Sequence, residues 1–207
     1  MRNSLLGSRL VSQLKQRHYN AIYCNTAKEA VEAVQRMIPD GSTVTWGGSM
    51  TIRDMGLTKA LHERQLTLWD RDIAANRDEA QEIYRKAFYA DYYISGINAI
   101  SESGEIVNID GNGNRVAAIT FGPKNVILVA GINKVAKDLH AAISRARSVA
   151  APINAQRFDD LNTPCKTDGV CHDCKSLDCL CNYISIMRNS RPAGRHTVVL
   201  VGEDLGY

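Results

Sequence analysis

The chain has 207 residues, 44% of them hydrophobic, which is enough to bury one substantial core, so we expect a single domain spanning residues 1–207. Lysine and arginine number 25 against 22 aspartates and glutamates, and no basic block stands out, so nucleic acid is not an expected partner. No apolar run approaches the roughly 20 residues that cross a bilayer, so we expect no membrane segment.

The first half of the chain predicts alternating helices and strands. Leucines at helical spacing open the sequence, and Thr26 with Glu29 forms a capping box before the second helix. The predicted elements are a helix within residues 1–20, a strand at 21–24, a helix over 26–38, a strand at 43–46, a helix over 51–64 and a strand at 66–69.

The second half begins with the same alternation and then changes character. It predicts a helix over 77–88, a strand at 92–95, closely spaced strands within 97–109, 116–121 and 126–130, a helix over 134–149, and closing strands at 183–187 and 197–201. Repeated crossover units indicate an α/β fold with a mostly parallel open sheet and helices on both faces. Ligands bind such sheets beyond the carboxyl ends of the strands.

A glycine-rich turn lies where the strand at 43–46 meets the next helix. Gly47 and Gly48 let a ligand approach the backbone, and the hydroxyl of Ser49 or Thr51 could hold an anion. The alternative is that the two glycines only make a tight connection.

A second group of polar residues lies between residues 94 and 135, around predicted strand ends. Acidic, amide and cationic groups on a rigid scaffold suit a small polar anion. Residues 110–114 alone favour a simple hairpin turn. No Walker loop or complete G-x-G-x-x-G is present, so we expect no nucleotide cofactor. The candidate catalytic residues are Glu102 and Arg115, and the candidate anion-binding residues are Asn98, Asn114, Lys124 and Lys134.

Five of the six cysteines lie between residues 165 and 181, in a predicted loop over 160–182 that is inserted before the C-terminal strands. Closely spaced thiolates can converge on one zinc ion or iron-sulfur cluster. The alternatives are a disulfide or redox switch, and cysteines with no special role. The N-terminal segment shows no apolar core with a small-residue cleavage site, so we expect a reducing, cytoplasmic location.

The stretch from Ala90 to Arg147, with PINAQR and PCKTDGVCHDC after it, resembles the lactate-utilization (LUD) domain family, once known only as a domain of unknown function. The resemblance implies a fold similar to those of CoA transferases, ribose-5-phosphate isomerase and glucosamine-6-phosphate deaminase. It also implies a link to oxidation of lactate to pyruvate, where some members act beside iron-sulfur and redox subunits. The family pattern implies four metal ligands, with Cys179 as a spare: Cys165, Cys171, Cys174 and Cys181.

The segment Ser101-Glu102-Ser103-Gly104 resembles the S-E-N-G segment of CoA transferases, in which the glutamate attacks an acyl-CoA. Ser103 replaces the asparagine, and the chain has no G-x-G-x-P segment to supply an oxyanion hole. The leading hypothesis is therefore a component of organic-acid oxidation that binds a small anionic metabolite and carries an iron-sulfur or zinc centre. The second is a transferase or sugar-phosphate isomerase that uses Glu102, with zinc for stability only.

Partners other than a metabolite are less defined by the sequence. Redox or iron-sulfur subunits are implied by the family resemblance, and a redox-sensing or scaffold role is a third, non-catalytic hypothesis. Helix faces rich in alanine and valine permit a homo-oligomer without requiring one.

Overall fold

The computed structural model describes residues 1–207 and has the expected α/β architecture. The helices are α1 Arg2–Gln16, α2 Ala27–Met37, α3 Met50–Asp54, α4 Leu57–His62, α5 Arg77–Lys86, α6 Asn114–Phe121, α7 Leu139–Arg145, α8 Ala151–Ala155 and α9 Pro164–Asp168. The strands are β1 Asn20–Cys24, β2 Thr43–Trp46, β3 Thr67–Trp69, β4 Tyr92–Gly96, β5 Ala99–Ser101, β6 Ile106–Asp110, β7 Asn125–Gly131, β8 Val135–Ala136, β9 Tyr183–Met187 and β10 His196–Val201. None of these helices has the length and apolar character needed to cross a bilayer.

Six strands form a fully parallel sheet in the order β1-β10-β7-β4-β2-β3. From β2 the chain continues to β3 on one side, whereas from β4 it continues toward β7 on the other. The neighbouring strands β2 and β4 therefore flank a topological switch point. Open α/β sheets bind ligands at such points, outside the carboxyl ends of the strands.

Helices cover both faces of this sheet, because its central strands are apolar on both sides. In β7, every residue after Asn125 is buried. One face packs against α1 through Leu10 and Leu14, and the other packs against α2 and α4 through Val34 and Leu61. Burial of each such side chain contributes about 1.5–3 kcal/mol, so the two cores hold the sheet edge rigidly in place.

A second, mixed sheet has the order β8-β5-β6-β9 and contains the strands expected within 97–109. The predicted strand at 116–121 is wrong, because these residues belong to α6. Gly113 turns the chain in the left-handed region at φ 77°, and Asp110 Oδ2 accepts the N–H of Val116 at 2.8 Å. Residues 110–114 therefore connect a strand to a helix, and the predicted hairpin turn is also wrong.

Two predicted helices differ in extent from the observed ones. The helix expected over 51–64 is divided into α3 and α4 by Gly56, whose φ is 77°. The helix expected over 134–149 begins only at Leu139, because Asp138 Oδ1 accepts the N–H of Ala141 and caps α7 there. Residues 134–136 instead form a turn and the short strand β8.

The cysteine-rich segment lies between α8 and β9 and contains the short helix α9. Strand β9 pairs with β6, so Tyr183 lies opposite Asp110 at the end of β6. Just before this pair, Asn182 Nδ2 donates to the carbonyl oxygen of Gly111 at 3.1 Å. The end of the cysteine-rich segment is thereby held against the turn that leads into α6.

Candidate functional site

A cleft of about 560 Å³ opens at the switch point, beyond the carboxyl ends of β2 and β4. Its volume is in the range of small-molecule sites. The turns after β2 and β4 form one wall, and residues 177–182 of the cysteine-rich segment contribute another. Most residues predicted from the sequence to bind an anion line this cleft, together with Arg115: Gly48, Ser49, Thr51, Asn98, Asn114 and Lys134.

Small residues allow the close packing at the base of the cleft. A Cβ atom at Gly47 would lie 3.0 Å from Cδ of Arg115 and 2.8 Å from the hydroxyl of Tyr93. A Cβ at Gly96 would lie 2.4 Å from the Ser49 hydroxyl. A Cβ at Gly48 would lie 3.3 Å from the terminal nitrogens of Arg71. The glycines therefore allow these side chains to lie directly against the backbone, and Gly47 acts by accommodating Arg115.

Arg115 is committed to contacts within the protein. Its Nε donates to Asp110 Oδ1 at 2.8 Å, and Nη1 donates to the Gly96 carbonyl and to Asn108 Oδ1 at 3.2 and 3.0 Å. Its Nη2 donates to Asn98 Oδ1 at 2.8 Å and to the Ile109 carbonyl at 2.7 Å. A guanidinium has five N–H groups, so each of them is used. Arg115 positions the cleft wall and has no donor left for a ligand.

Lys134 lies in the wall of the same cleft with only 3% of its surface exposed. Its Nζ donates to Thr51 Oγ1 at 2.7 Å and to the Ile97 carbonyl at 2.9 Å. Burial lowers the pKa of the amine, and together with the positive charges of Arg145 and Arg115, and against an opposing effect of Asp54, it brings the pKa to about 7. The amine is therefore substantially uncharged near neutral pH.

Three further cations line the cleft: Arg71, Arg77 and Arg157. Arg71 donates to Asp72 Oδ1 through Nε and to the Tyr84 hydroxyl through Nη1, which leaves Nη2 uncommitted. Arg77 forms no ion pair, and Arg157 Nη1 donates to Asn154 and Tyr207. The lining carries five basic side chains, with Arg115 and Lys134, against the two acids Asp110 and Asp178. The three arginines Arg71, Arg77 and Arg157 alone outnumber these acids, so a small anion meets a positive field there even where Lys134 is uncharged.

Two residues predicted for the site lie elsewhere. Glu102 follows β5 and pairs with Arg9 at 2.7 Å and with Lys137 at 3.5 Å, outside the cleft lining. Lys124 is exposed before β7, at the amino end of that strand, whereas the cleft lies at the carboxyl ends. The structure thus brings neither residue to the switch point.

The five clustered cysteines line a second cavity of about 160 Å³: Cys165, Cys171, Cys174, Cys179 and Cys181. Arg147 and Asp173 form an ion pair at this cavity. His172 is paired with Asp168 at 2.6 Å. All six cysteines of the chain are free thiols, and the sixth, Cys24, is buried in the core.

The chemistry of this thiol set suits a soft metal, since thiolates are the preferred ligands of zinc and of iron-sulfur clusters. Burial, together with the nearby Cys179, Cys171 and Cys165, raises the pKa of the Cys181 thiol to about 12. The backbone N–H of Cys181 donates to Cys179 Sγ at 3.4 Å, and the other three thiols line the same cavity. In the arrangement described, however, no three His, Cys, Asp or Glu side chains form a group that could hold a metal ion.

The two cavities adjoin each other. Cys179 and Leu180 line both the anion-lined cleft and the cysteine cavity. Leu180 also packs near Gly111, where a Cβ atom would lie 3.5 Å from the leucine backbone. The cysteine-rich segment is therefore a shared wall between the cysteines and the switch point.

Comparison with known families decides what kind of domain this is. The LUD domain profile matches residues 7–201, which is nearly the whole chain. The chain belongs to the LUD domain family. No curated protein matches the sequence significantly.

One solved structure shares this fold along nearly its whole length. A DUF162 family protein from Deinococcus radiodurans aligns with 96% of this chain and 97% of its own, with a TM-score of 0.57 and 10% identity. Weaker likenesses reach the eIF2B β2δ2 complex of C. thermophilum, with a TM-score of 0.40, 16% identity and coverage of 58% and 47%. A 5-methylthioribose 1-phosphate isomerase from Pyrococcus horikoshii OT3 has a TM-score of 0.37, 12% identity and coverage of 77% and 50%.

Sequence reasoning missed several cleft residues of this LUD domain. Arg157 and Asn154 lie in the PINAQR segment that carries the family resemblance, and that segment was the available signal for them. Arg71, Arg77 and Tyr84 reach the cleft from the connection between β3 and β4. No motif marks these three, because only the folded sheet brings that connection beside the switch point.

Proposed function

We propose that this LUD domain protein is a component of lactate utilization that binds a small anionic metabolite, a 2-hydroxy or 2-oxo acid, in the cleft. The observation that supports this most directly is the concentration of basic side chains at the switch point. Three arginines line this cleft of about 560 Å³: Arg71, Arg77 and Arg157. Because Arg115 pairs with Asp110, Asp178 is the one other acid that faces them. Arginine pairs with carboxylates through two parallel hydrogen bonds, which gives both affinity and orientation.

Arg71, Arg77 and Asn98 are the groups best suited to hold the carboxylate. Arg77 is unpaired within the chain, and Nη2 of Arg71 is uncommitted. The amide oxygen of Asn98 is occupied by Arg115, so its amide nitrogen is the group left for a ligand. Arg115 contributes by fixing Asn98 and Asp110, and Ser49 and Asn114 supply further polar groups.

We further propose that four cysteines hold an iron-sulfur or zinc centre: Cys165, Cys171, Cys174 and Cys181. All four line one cavity, and Cys179 lines both this cavity and the adjoining cleft. When bound, an iron-sulfur cluster would supply one-electron transfer, and zinc would supply a structural crosslink. Redox partner subunits, a homo-oligomer and a cytoplasmic location belong to the same proposal.

A transferase or isomerase that uses Glu102 is not favoured by any contact. The carboxylate of Glu102 is engaged by Arg9 and Lys137 outside the cleft. A nucleophile has to lie within reach of bound substrate. The proposed function therefore leaves Glu102 without a catalytic role.

Isothermal titration calorimetry with lactate, pyruvate and the uncharged analogue lactamide tests the anion site. We expect the two acids to bind and lactamide to bind at least tenfold more weakly, because a charge-assisted hydrogen bond contributes about 1.5–3 kcal/mol. Arg71→Gln with Arg77→Gln should abolish acid binding, and Lys28→Gln, at an exposed cation on α2, should leave it unchanged. Equal binding of lactamide and lactate would contradict the proposal.

A further inference from the structure

Lys134 has the surroundings of a nucleophilic amine. It reaches the cleft wall from the turn after β7, and its side chain is almost completely enclosed. No carboxylate hydrogen-bonds to Nζ, whose two partners are the Thr51 hydroxyl and the Ile97 carbonyl. A lysine whose task is only to attract an anion would gain from full exposure of its charge to the ligand, and this one instead lies in a desolvated position.

We propose that Lys134 forms a covalent imine with the keto carbon of a 2-oxo acid bound in the cleft. This inference deepens the proposed function and rests on it, because the acid must first bind beside the amine. The imine distinguishes two ligands of similar size and equal charge by their reactivity. A 2-oxo acid such as pyruvate has the carbonyl that the reaction needs, whereas a 2-hydroxy acid such as lactate does not.

The hydrogen bonds around Nζ leave the reacting electron pair available. An uncharged amine has two N–H groups and one lone pair. Thr51 Oγ1 and the Ile97 carbonyl oxygen accept the two N–H groups, and the Thr51 hydroxyl in turn donates to the Leu205 carbonyl at 3.4 Å. Thr51 Oγ1 is thus held as an acceptor, and the lone pair of Nζ has no hydrogen-bond partner.

The reaction balances without an oxidant, a reductant or a cofactor. The lone pair of Nζ forms the bond to the keto carbon, and a proton passes from nitrogen to the former keto oxygen to give a carbinolamine. That oxygen then leaves as water when the nitrogen loses its second proton, which gives the imine and reverses on hydrolysis. Lysine amines form such adducts with carbonyl substrates when desolvation or neighbouring cations keep them uncharged.

The charges around Lys134 favour the uncharged amine. Arg145 from α7 and Arg115 from α6 add to the effect of burial, and Asp54 from α3 opposes them. Together they lower the pKa from 10.5 to about 7. Ordinary lysine amines are protonated near neutral pH and react far more slowly with carbonyl compounds.

Reductive trapping tests the imine. Wild-type protein is incubated near neutral pH with pyruvate and cyanoborohydride, and the modified peptides are mapped by mass spectrometry. We expect one dominant N-carboxyethyl adduct, on the peptide that contains Lys134, and no adduct with lactate. Lys134→Met should lose that adduct, and Lys28→Met should retain it. Labelling spread over exposed lysines, or absent from Lys134, would overturn the inference.

The wild-type mapping does not depend on how well Lys134→Met folds, and Thr51→Val provides a second variant that keeps the lysine. Loss of the Thr51 acceptor should change the rate and pH dependence of trapping at Lys134. An unchanged rate and pH dependence would contradict the role given to the Thr51 hydroxyl as acceptor for Nζ of Lys134.

Calorimetry with the two acids distinguishes failure of the imine from failure of the proposed anion site. Binding of both acids without trapping removes only the imine, whereas absence of any binding removes the proposed function as well.

Discussion

Arg115 and Asp110 form a buried ion pair, with Nε of the arginine 2.8 Å from Oδ1 of the aspartate and about a tenth of each side chain exposed. The pair joins the end of β6 to the beginning of α6, and Asp110 Oδ2 also accepts the N–H of Val116. The same arginine contacts Gly96 and Asn98 after β4. One charge thus ties the switch point, the second sheet and α6 together.

Replacement of Arg115 by lysine should strongly destabilise the protein. An ammonium has three donors and no planar fork, so Asp110, Asn98 and the carbonyls of Gly96 and Ile109 cannot all be satisfied. Breaking a buried ion pair costs about 3–5 kcal/mol, and we expect the free energy of unfolding of Arg115→Lys to fall by an amount approaching that range. Urea unfolding followed by circular dichroism measures it.

The matched control for this prediction is Arg85→Lys on α5. Arg85 pairs with Glu82 at the surface, with both side chains more than half exposed, so its replacement should change the free energy of unfolding by less than about 1 kcal/mol. Similar values for the two variants would show that the hydrogen bonds of Arg115 do not stabilise the folded chain.

The stability of the protein should depend on pH through Lys134. Between about pH 7 and 10.5 the unfolded chain holds a proton on this lysine that the folded chain does not. Stability rises with pH wherever the unfolded state binds more protons. The free energy of unfolding of the wild type should therefore increase relative to that of Lys134→Met across this window. The gain should be at most about 1.4 kcal/mol per pH unit, and below pH 7 it should vanish.

Urea midpoints for wild type and Lys134→Met at several pH values in that window measure the effect. Lys28→Met is the control, because it removes an exposed lysine of α2 that does not line the cleft. Parallel pH profiles for wild type and Lys134→Met would mean that the lysine keeps an ordinary pKa, and the uncharged amine would then be excluded.

The main sheet was predictable because its strands are short apolar runs between clear helix signals. Residues 116–121 were not predictable in the same way, because the run VAAITF contains β-branched residues typical of strands. What makes it a helix is the left-handed turn at Gly113 and the Asp110 carboxylate on the N–H of Val116. A contact formed by folding outweighs local propensity there.

The site residues also divide into those that the sequence predicts correctly and those that it does not. Gly48, Thr51, Asn98 and Lys134 were found because they follow predicted strands, and strand ends of a parallel sheet meet at one edge. Glu102 also follows a strand, but β5 belongs to the second sheet, whose end faces Arg9 and Lys137. Sequence order alone does not reveal to which sheet a strand belongs.

His196 should make the protein sensitive to mild acid. The ring is 2% exposed at the start of β10, and its Nδ1 lies 2.9 Å from the Ser190 hydroxyl. Burial lowers the pKa of the ring, and together with the charge of Arg195, and against the opposing hydrogen bond to the Ile119 carbonyl, it brings the pKa to about 4. The unfolded chain therefore binds a proton between pH 6.5 and about 4 that the folded chain does not, so stability falls as pH falls through this window.

Comparison of wild type with His196→Gln checks this contribution. Between pH 6.5 and 4, the free energy of unfolding of the wild type should fall by up to about 3 kcal/mol more than that of the variant. His140→Gln, at an exposed position on α7, serves as the control. Equal acid sensitivity of wild type and His196→Gln would contradict the prediction.

The cysteine cavity gives a prediction about metal content. Protein purified without oxygen should contain iron or zinc in a fixed ratio to the chain, and iron would be accompanied by visible absorption. Serine at Cys165, Cys171, Cys174 or Cys181 should each lower that ratio, because a site with one thiolate fewer is incomplete. Elemental analysis and a visible spectrum make the measurement.

Two cysteines outside the proposed ligand set serve as controls. Cys24→Ser changes a core residue remote from the cavity and should retain the full metal content. Cys179→Ser should also retain the full metal content. Because Cys179 lines the cleft as well, lactate binding to this variant would show whether the wall between the two cavities affects the anion site. Loss of metal in Cys179→Ser would place this residue among the ligands. Metal-free protein whose thiols are recovered as disulfides would replace the metal proposal with a redox switch, because paired sulfurs no longer provide thiolate ligands.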